Sequence, residues 1–96
     1  MRKITKSAVD AFMMPEPFSQ GNTRVTCDDD INLYLHNNLI ASWNPITGQL
    51  WVTDAGWPTM TTKERLNGIP GVNIVQKAGQ WYLNGKEWNG NLIEVQ

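Results

Sequence analysis

A chain of 96 residues is too short for two domains with separate cores, and a formal net charge of −1 argues against simple binding to duplex nucleic acid. Eight basic residues face nine acidic ones, whereas binding by counterion release usually needs a basic surplus. Cys27 is the only cysteine, which excludes an intrachain disulfide and a cysteine-based zinc site. The sequence therefore predicts a single domain, residues 1–96, and gives no reason to expect a metal or other cofactor.

The apolar segments are all short. None approaches the roughly 18 residues that a membrane span needs. The chain has a basic start, but Lys6 and Asp10 interrupt what would be the apolar core of a signal peptide. A chain without disulfides suits a reducing compartment. We therefore expect a cytoplasmic protein that does not use a membrane.

The start of the chain predicts a short helix. Thr5 is a good N-cap, and Ile4 before it can pack against Val9 as a hydrophobic staple. Apolar residues at helical spacing then form one stripe, which comprises Ala8, Val9, Phe12 and Met13. Pro15 and Pro17 end the helix, because the residue before a proline avoids the helical region.

From Arg24 the hydrophobic period changes from helical to two, which is typical of strands. The segments with this pattern are RVTC, NLYLH, LIASW and QLWVT. Leu33 and Leu35 share one face of the second segment. The turns between the segments are DDD, Asn37-Asn38 and NPITG. The middle of the chain therefore predicts an antiparallel meander.

A second helix is predicted by the T-x-x-E pattern from Thr61 to Glu64, which is a capping box. In this motif the hydroxyl and the carboxylate each satisfy a free backbone N–H. Asn67-Gly68 should end the helix with a left-handed C-cap, and Pro70 prevents its continuation. A helix of about two turns needs packing to hold it in place.

The last part of the chain predicts further hairpins. Asn84-Gly85 is a strong hairpin signal, because a type I′ turn needs positive φ at both central residues. This turn would set Trp81 opposite Trp88 on one face. That face either covers the core or forms an exposed aromatic platform for a base, a sugar or a partner side chain. The core interpretation is favoured, since a small domain needs its largest apolar groups.

Together these elements predict an α+β fold. It consists of a curled, largely antiparallel β-meander, similar to a half-barrel, with two short helices.

The start of the second helix carries the best candidate ligand site. A helix N-terminus offers free N–H groups and a partial positive charge, which suits phosphate or carboxylate. The surrounding side chains are those that a nucleotide-like ligand would use: Trp57, Thr59, Thr61, Thr62, Lys63 and Arg65. The competing interpretation is structural, with Lys63 and Arg65 on a solvated face and Trp57 packing the loop.

Catalytic chemistry has little support. His36 is the only histidine and Cys27 the only thiol, and no signature marks either as reactive. The three aspartates Asp28, Asp29 and Asp30 lack the spacing of a calcium loop and are expected to form a solvated turn. We therefore expect that the protein is not an enzyme.

Three blocks of the sequence resemble a family of small bacteriophage-encoded proteins. They are LYLHNNLIASW, AGWPTMTTKERLNGIPGV and QWYLNGKEWNG, which carry the motifs AGWxTxTTKERLN and WYLNGxxW. The resemblance extends over nearly the whole chain, although Asn37 stands where a glycine is frequent in the family. It implies a setting, an accessory protein made in the cytoplasm of an infected bacterial cell, and no particular mechanism.

The function expected from these observations is binding to a host protein, with a defence component as one candidate. The alternative is sequestration of a nucleotide or signalling ligand by the segment from Trp57 to Arg65. A further alternative, a minor virion component, would require a homo-oligomer or another form of self-assembly. The candidate binding residues are the six around the helix start together with Trp81 and Trp88.

Overall fold

The computed structural model describes residues 2–95, which form two helices and nine strands. The elements are α1 (Lys3–Met13), β1 (Phe18–Gln20), β2 (Thr23–Cys27), β3 (Ile31–Leu35), β4 (Asn38–Trp43), β5 (Leu50–Val52), α2 (Met60–Asn67), β6 (Ile74–Lys77), β7 (Gln80–Leu83), β8 (Lys86–Glu87) and β9 (Ile93–Glu94). The pairings between these strands are antiparallel. The predicted α+β class, with a largely antiparallel sheet and two short helices, is confirmed.

The strands divide between two open sheets. The larger sheet has the order β1-β2-β3-β4-β5-β9, so the predicted meander continues through β5 and the chain returns at its end to pair with β5. The smaller sheet has the order β6-β7-β8. The division falls where α2 interrupts the strand pattern. Leu33 and Leu35 share the buried face of β3, as the alternation predicted.

Helix α1 covers the larger sheet. Phe12 is fully buried, and its ring meets Trp43 edge-on at 6.4 Å between centroids. The Trp43 Nε1–H donates to the carbonyl of Phe12 at 2.7 Å. The predicted helix is confirmed, but the predicted N-cap is wrong, because Arg2 occupies that position and Thr5 lies buried within the first turns. The Thr5 hydroxyl instead bonds to side chains of α2.

The turn of the β3–β4 hairpin lies one residue earlier than predicted. Leu35 pairs with Asn38, which places His36 and Asn37 at the two turn positions, with φ of 50° and 64°. The prediction of Asn37-Asn38 is therefore wrong, since strand pairing already includes Asn38. The Asn84-Gly85 turn is confirmed, with φ of 50° and 87° between β7 and β8.

Gly68 has a different role from the one predicted. It follows α2 with φ −72°, an ordinary right-handed conformation, so the predicted left-handed C-cap is wrong. A Cβ at this position would lie 2.9 Å from Val9 Cγ2 and 3.0 Å from Thr5 Cγ2. The glycine is therefore needed for space, because it lets the end of α2 approach α1.

Candidate functional site

A pocket of about 510 Å³ opens between the start of α2 and the β3–β4 hairpin, and we call it the α2 pocket. Its volume lies in the range of small-molecule sites. Its lining residues come from the hairpin, from the loop after β5 and from α2: Leu35, His36, Asn38, Ile40, Asp54, Trp57, Thr59, Thr61 and Thr62. Leu35 and Ile40 are buried side chains and supply an apolar part of the wall.

A bulge in β4 places the Ile40 side chain in the wall of the α2 pocket. Leu33 pairs with Ala41 and Tyr34 with Leu39, so Ile40 is an extra residue in β4. Ile40 and Ala41, although neighbours in a strand, are both only 1% exposed. A bulge re-aims a side chain in this way and is frequent beside functional sites. The hairpin therefore presents Ile40 to the pocket.

Asp54 organises the loop that carries Trp57. Its Oδ1 accepts a hydrogen bond from the Gly56 N–H at 2.7 Å, and its carbonyl accepts from the Trp57 N–H at 2.9 Å. Ala55 has φ 57°, a left-handed conformation that is uncommon outside glycine. The loop leaves the Trp57 side chain 62% exposed at the pocket.

The start of α2 is capped by Thr59, so the predicted capping box at Thr61 is wrong. Thr59 Oγ1 accepts from the Thr62 N–H at 3.2 Å, and the Thr62 hydroxyl donates to the Trp57 carbonyl at 2.8 Å. Because the helix begins at Met60, Thr61 lies inside it and lines the α2 pocket. Glu64 instead accepts hydrogen bonds from Arg2, Thr5 and Arg65.

Arg65 lies at the centre of a buried polar cluster, which we call the Arg65 joint. Its Nε donates to Thr23 Oγ1 at 3.1 Å, and its Nη1 donates to Thr5 Oγ1 at 2.5 Å and to Glu64 Oε1 at 2.7 Å. The Arg2 Nε completes the cluster by donating to Glu64 Oε1 at 2.8 Å. The joint ties α2 to α1 and β2. With 1% exposure, Arg65 is available neither to a ligand nor to solvent.

The Arg65 joint shifts the ionisation of two groups. The hydrogen bond from the Thr5 hydroxyl lowers the pKa of Glu64, and Arg2 and Arg65 lower it further against the opposing effect of burial. Burial lowers the pKa of Arg65, and repulsion from Arg2 adds to this effect. The joint therefore holds Glu64 as a carboxylate.

Trp81 and Trp88 face each other across the β7–β8 hairpin with ring centroids 6.2 Å apart. They are only 8% and 5% exposed, and the Trp88 Nε1–H donates to the Asn91 carbonyl at 2.9 Å. The hairpin face therefore covers the core, and the alternative of an exposed aromatic platform is wrong. Both tryptophans border a smaller cavity of about 300 Å³ that also reaches Asp54.

Asp54 thus lies between two cavities, although it is only 7% exposed. Its carboxylate packs directly on Gly90, where a Cβ would collide with it. The Asp54 N–H and the Thr53 hydroxyl both donate to the Gly90 carbonyl at 2.9 Å. A glycine in the last turn therefore makes room for a buried carboxylate.

The predicted site residues divide into three groups. Trp57, Thr59, Thr61 and Thr62 come together around the α2 pocket, as their spacing indicated. Within residues 2–95, no lysine or arginine contributes to its lining, so Lys63 and Arg65 do not join them. Trp81 and Trp88 lie in the core.

The sequence-based prediction missed Asp54 and the whole hairpin wall, which includes His36, Asn38 and Ile40. One signal was available for Asp54. An aspartate followed by Ala-Gly at the end of a strand is typical of a turn in which the side chain bonds to the backbone two residues on. The hairpin wall had no comparable signal, because it meets α2 only through the tertiary fold.

The described residues support neither a metal site nor a membrane-spanning helix. Within residues 2–95 there is no group of three or more His, Cys, Asp or Glu residues placed to hold a metal ion. Neither α1 nor α2 is long and apolar enough to cross a membrane.

The fold and pocket define a small α+β protein with a buried carboxylate at a ligand-sized cavity. Residues 1–94 match the family described as the Kyanoviridae Gp96 protein. The chain therefore belongs to this family of phage proteins, and the phage origin implied by its sequence motifs is confirmed. No curated protein and no solved structure matches the chain.

Proposed function

We propose that this phage protein acts without catalysis, by binding a protein of the infected host cell, with a defence component as one candidate. The observation that carries the proposal is the rim of the α2 pocket. Trp57 lines the pocket and is 62% exposed, and Met60, the first residue of α2, is 71% exposed. Tryptophan and methionine are enriched at protein interfaces, and tryptophan is frequent among the residues that dominate binding energy.

The non-enzymatic part of the proposal is supported by the positions of the only cysteine and the only histidine. Thr23 pairs with Leu35 at one end of the β2–β3 ladder, and Cys27 pairs with Ile31 at the other. His36 follows Leu35, so the thiol and the imidazole are separated by roughly 13 Å of strand. A Cys–His nucleophile needs the two groups within hydrogen-bond reach.

Sequestration of a small ligand is the second candidate. The volume of the α2 pocket and its exposed indole favour it, as do the three threonine hydroxyl groups around the helix start. A nucleotide is disfavoured by charge. The carboxylate of Asp54 carries a full negative charge at the pocket, whereas a helix N-terminus offers only about half a positive charge.

The test is cross-linking in infected cells, followed by mass spectrometry and reconstitution with the purified partner. We expect one host protein at a fixed stoichiometry. The double variant Trp57→Ala/Met60→Ala should weaken the reconstituted complex about tenfold or more. The matched control is Ile46→Ala, which removes a side chain that is 93% exposed in the β4–β5 turn, outside the α2 pocket. It should bind as the unaltered protein does.

Three results would overturn the proposal. One is the recovery of virion proteins alone, with this chain present in purified particles. Another is binding of a nucleotide, measured by calorimetry, with no host protein captured. The third is a partner whose binding is affected equally by the double variant and by Ile46→Ala, since the rim would then contribute nothing.

A further inference from the structure

We infer that the α2 pocket receives an arginine side chain of the partner protein, held by the carboxylate of Asp54 and stacked on the indole of Trp57. The inference rests on the proposed function, which it deepens by naming the chemistry that the partner presents. It depends on three observations: the hydrogen bonding of Asp54, the exposure of Trp57 and the charge of the pocket lining.

The carboxylate of Asp54 has one oxygen in use and one open. Oδ1 accepts from the Gly56 N–H, whereas Oδ2 accepts no hydrogen bond from a side chain or backbone group of residues 2–95. Within that part of the chain, every fully buried side-chain oxygen or nitrogen has a hydrogen-bond partner. Oδ2 is therefore not fully buried. It lies on the side of Gly90, where Asp54 separates the α2 pocket from the second cavity and lines both, so we infer that a donor entering the α2 pocket reaches it.

Folding has already removed most of the water from this carboxylate, since Asp54 is only 7% exposed. A charge in that position is costly unless it is paired. A cation that enters the pocket would therefore gain a strong hydrogen bond, and the carboxylate would lose little further hydration. The packing against Gly90 and the bond from Gly56 hold the acceptor in place beforehand.

Trp57 supplies the second contact. Its indole is exposed at the mouth of the α2 pocket, on the same loop as Asp54 and three residues further along the chain. A cation over an indole face is stabilised by the quadrupole of the ring. Guanidinium suits this combination better than ammonium, because its planar fork bonds a carboxylate and stacks on an aromatic face at the same time.

The lining of the α2 pocket does not favour a negatively charged ligand. No lysine or arginine among residues 2–95 lines the α2 pocket, and Thr59 already caps the start of α2. The rest of the lining is apolar at Leu35 and Ile40 and polar at Asn38, His36 and the three threonines. The walls therefore suit the aliphatic stem of a long side chain, and Asp54 suits its charged end.

The binding experiment uses small probes and the whole chain. N-acetyl-arginine methylamide is titrated while ¹H–¹⁵N spectra are recorded, and N-acetyl-citrulline methylamide serves as the uncharged match. We expect saturable shifts for the arginine probe at the Trp57 indole N–H and at the backbone of Asp54 and Thr59. Citrulline should give none that saturate, and added salt should weaken the arginine response alone.

Variants assign the contacts. Asp54→Asn should weaken binding of the arginine probe about tenfold or more, and Trp57→Ala about three- to tenfold. Trp51→Ala is the matched control, because Trp51 lies on β5, outside the residues that line the pocket, and is partly exposed. If Asp54→Asn fails to fold, as its thermal unfolding would show, Trp57→Ala and the salt dependence of the unaltered protein decide the question.

Several results would overturn the inference. Equal binding of the citrulline and arginine probes would show that charge does not contribute to binding. An absence of saturable shifts would show that the pocket does not bind arginine. Binding of inorganic phosphate at these residues, strengthened by Asp54→Asn, would mark an anion site.

The test also separates the inference from the proposed function. If Asp54→Asn folds and still binds the host partner at full strength, the function stands and the arginine contact falls. If the arginine probe behaves as expected and no host partner is recovered, the host-binding function falls and the chemistry of the pocket stands.

Discussion

Two buried charges lie near α2, Arg65 on the inner side of the helix and Asp54 beside its start, and their surroundings differ. Arg65 donates to Thr23, Thr5 and Glu64, which belong to three different elements. Asp54 uses one carboxylate oxygen within its own loop, and the other lies beside Gly90 without a hydrogen bond from residues 2–95. A buried charge whose partners all lie within the chain serves the fold. A buried charge with an open oxygen is a candidate for binding.

The difference also explains how α2 can contribute both to the fold and to the candidate site. The Arg65 joint, together with the close approach of Gly68 to Val9, fixes the helix against α1. A helix of 8 residues has little stability of its own, so these contacts hold its start in position. The exposed side chains of Trp57 and Met60 take no part in these contacts.

The largest effect should come from breaking the joint. Arg65→Ala leaves Thr5, Thr23 and Glu64 without their shared donor, and loss of one partner from a buried ionic cluster costs about 3–5 kcal/mol. Urea denaturation measures the loss in the free energy of unfolding. If Arg65→Ala leaves too little folded protein, Thr23→Val should still lower stability by about 1–2 kcal/mol. A loss below about 1 kcal/mol for Arg65→Ala would contradict a structural role for the joint.

A smaller loss of stability is expected from Gly90→Ala, which changes the surroundings of Asp54, the second of the two buried charges. A Cβ at this position would collide with the Asp54 carboxylate, and Gly90 also has φ 88°. Gly85→Ala is the matched control, because Gly85 has φ 87° and no atom within 4 Å of its Cβ position. Backbone strain should cost about 1 kcal/mol in both variants. Gly90→Ala should lose about 1–3 kcal/mol more from the collision, and equal losses would show that the carboxylate moves away freely.

Protonation of Glu64 should weaken the joint by a smaller amount. Because the pKa of Glu64 is lowered in the folded protein, its contribution is fully present above the ordinary value of 4.5 and is lost as the pH falls through the folded-state pKa. Its side chain is partly exposed, so the contribution should be only about 1 kcal/mol.

The measurement compares the unaltered protein with Glu64→Gln in urea at neutral and acidic pH. The difference in the free energy of unfolding should be largest at neutral pH and shrink below pH 4.5. A difference that stays constant with pH would mean that the carboxylate charge contributes nothing to the joint.

Local patterns in the sequence predicted the elements well, because each depends on neighbours along the chain. The alternation in β3 and the Asn84-Gly85 turn are examples, and both are confirmed. The same patterns predicted the wrong role for Arg65 and the wrong cap at Thr61. Arg65 has partners 42 and 60 residues away in sequence, at Thr23 and Thr5, and no local pattern encodes such contacts. The position of Asp54 beside Gly90 was hidden for the same reason.

The smallest effect on stability should come from Trp57→Ala. This variant tests whether a residue of the candidate site also stabilises the fold. The side chain is 62% exposed, so its removal should change the free energy of unfolding by no more than about 0.5 kcal/mol. Trp81→Ala is the matched control, since Trp81 is 8% exposed in the core and its truncation should cost about 3–5 kcal/mol. Thermal and urea denaturation of the two variants measure both values. A large loss for Trp57→Ala would place this tryptophan with Arg65 among the residues that hold the fold together. A negligible loss would show that the exposed indole at the α2 pocket does not hold the fold together, as both binding candidates require.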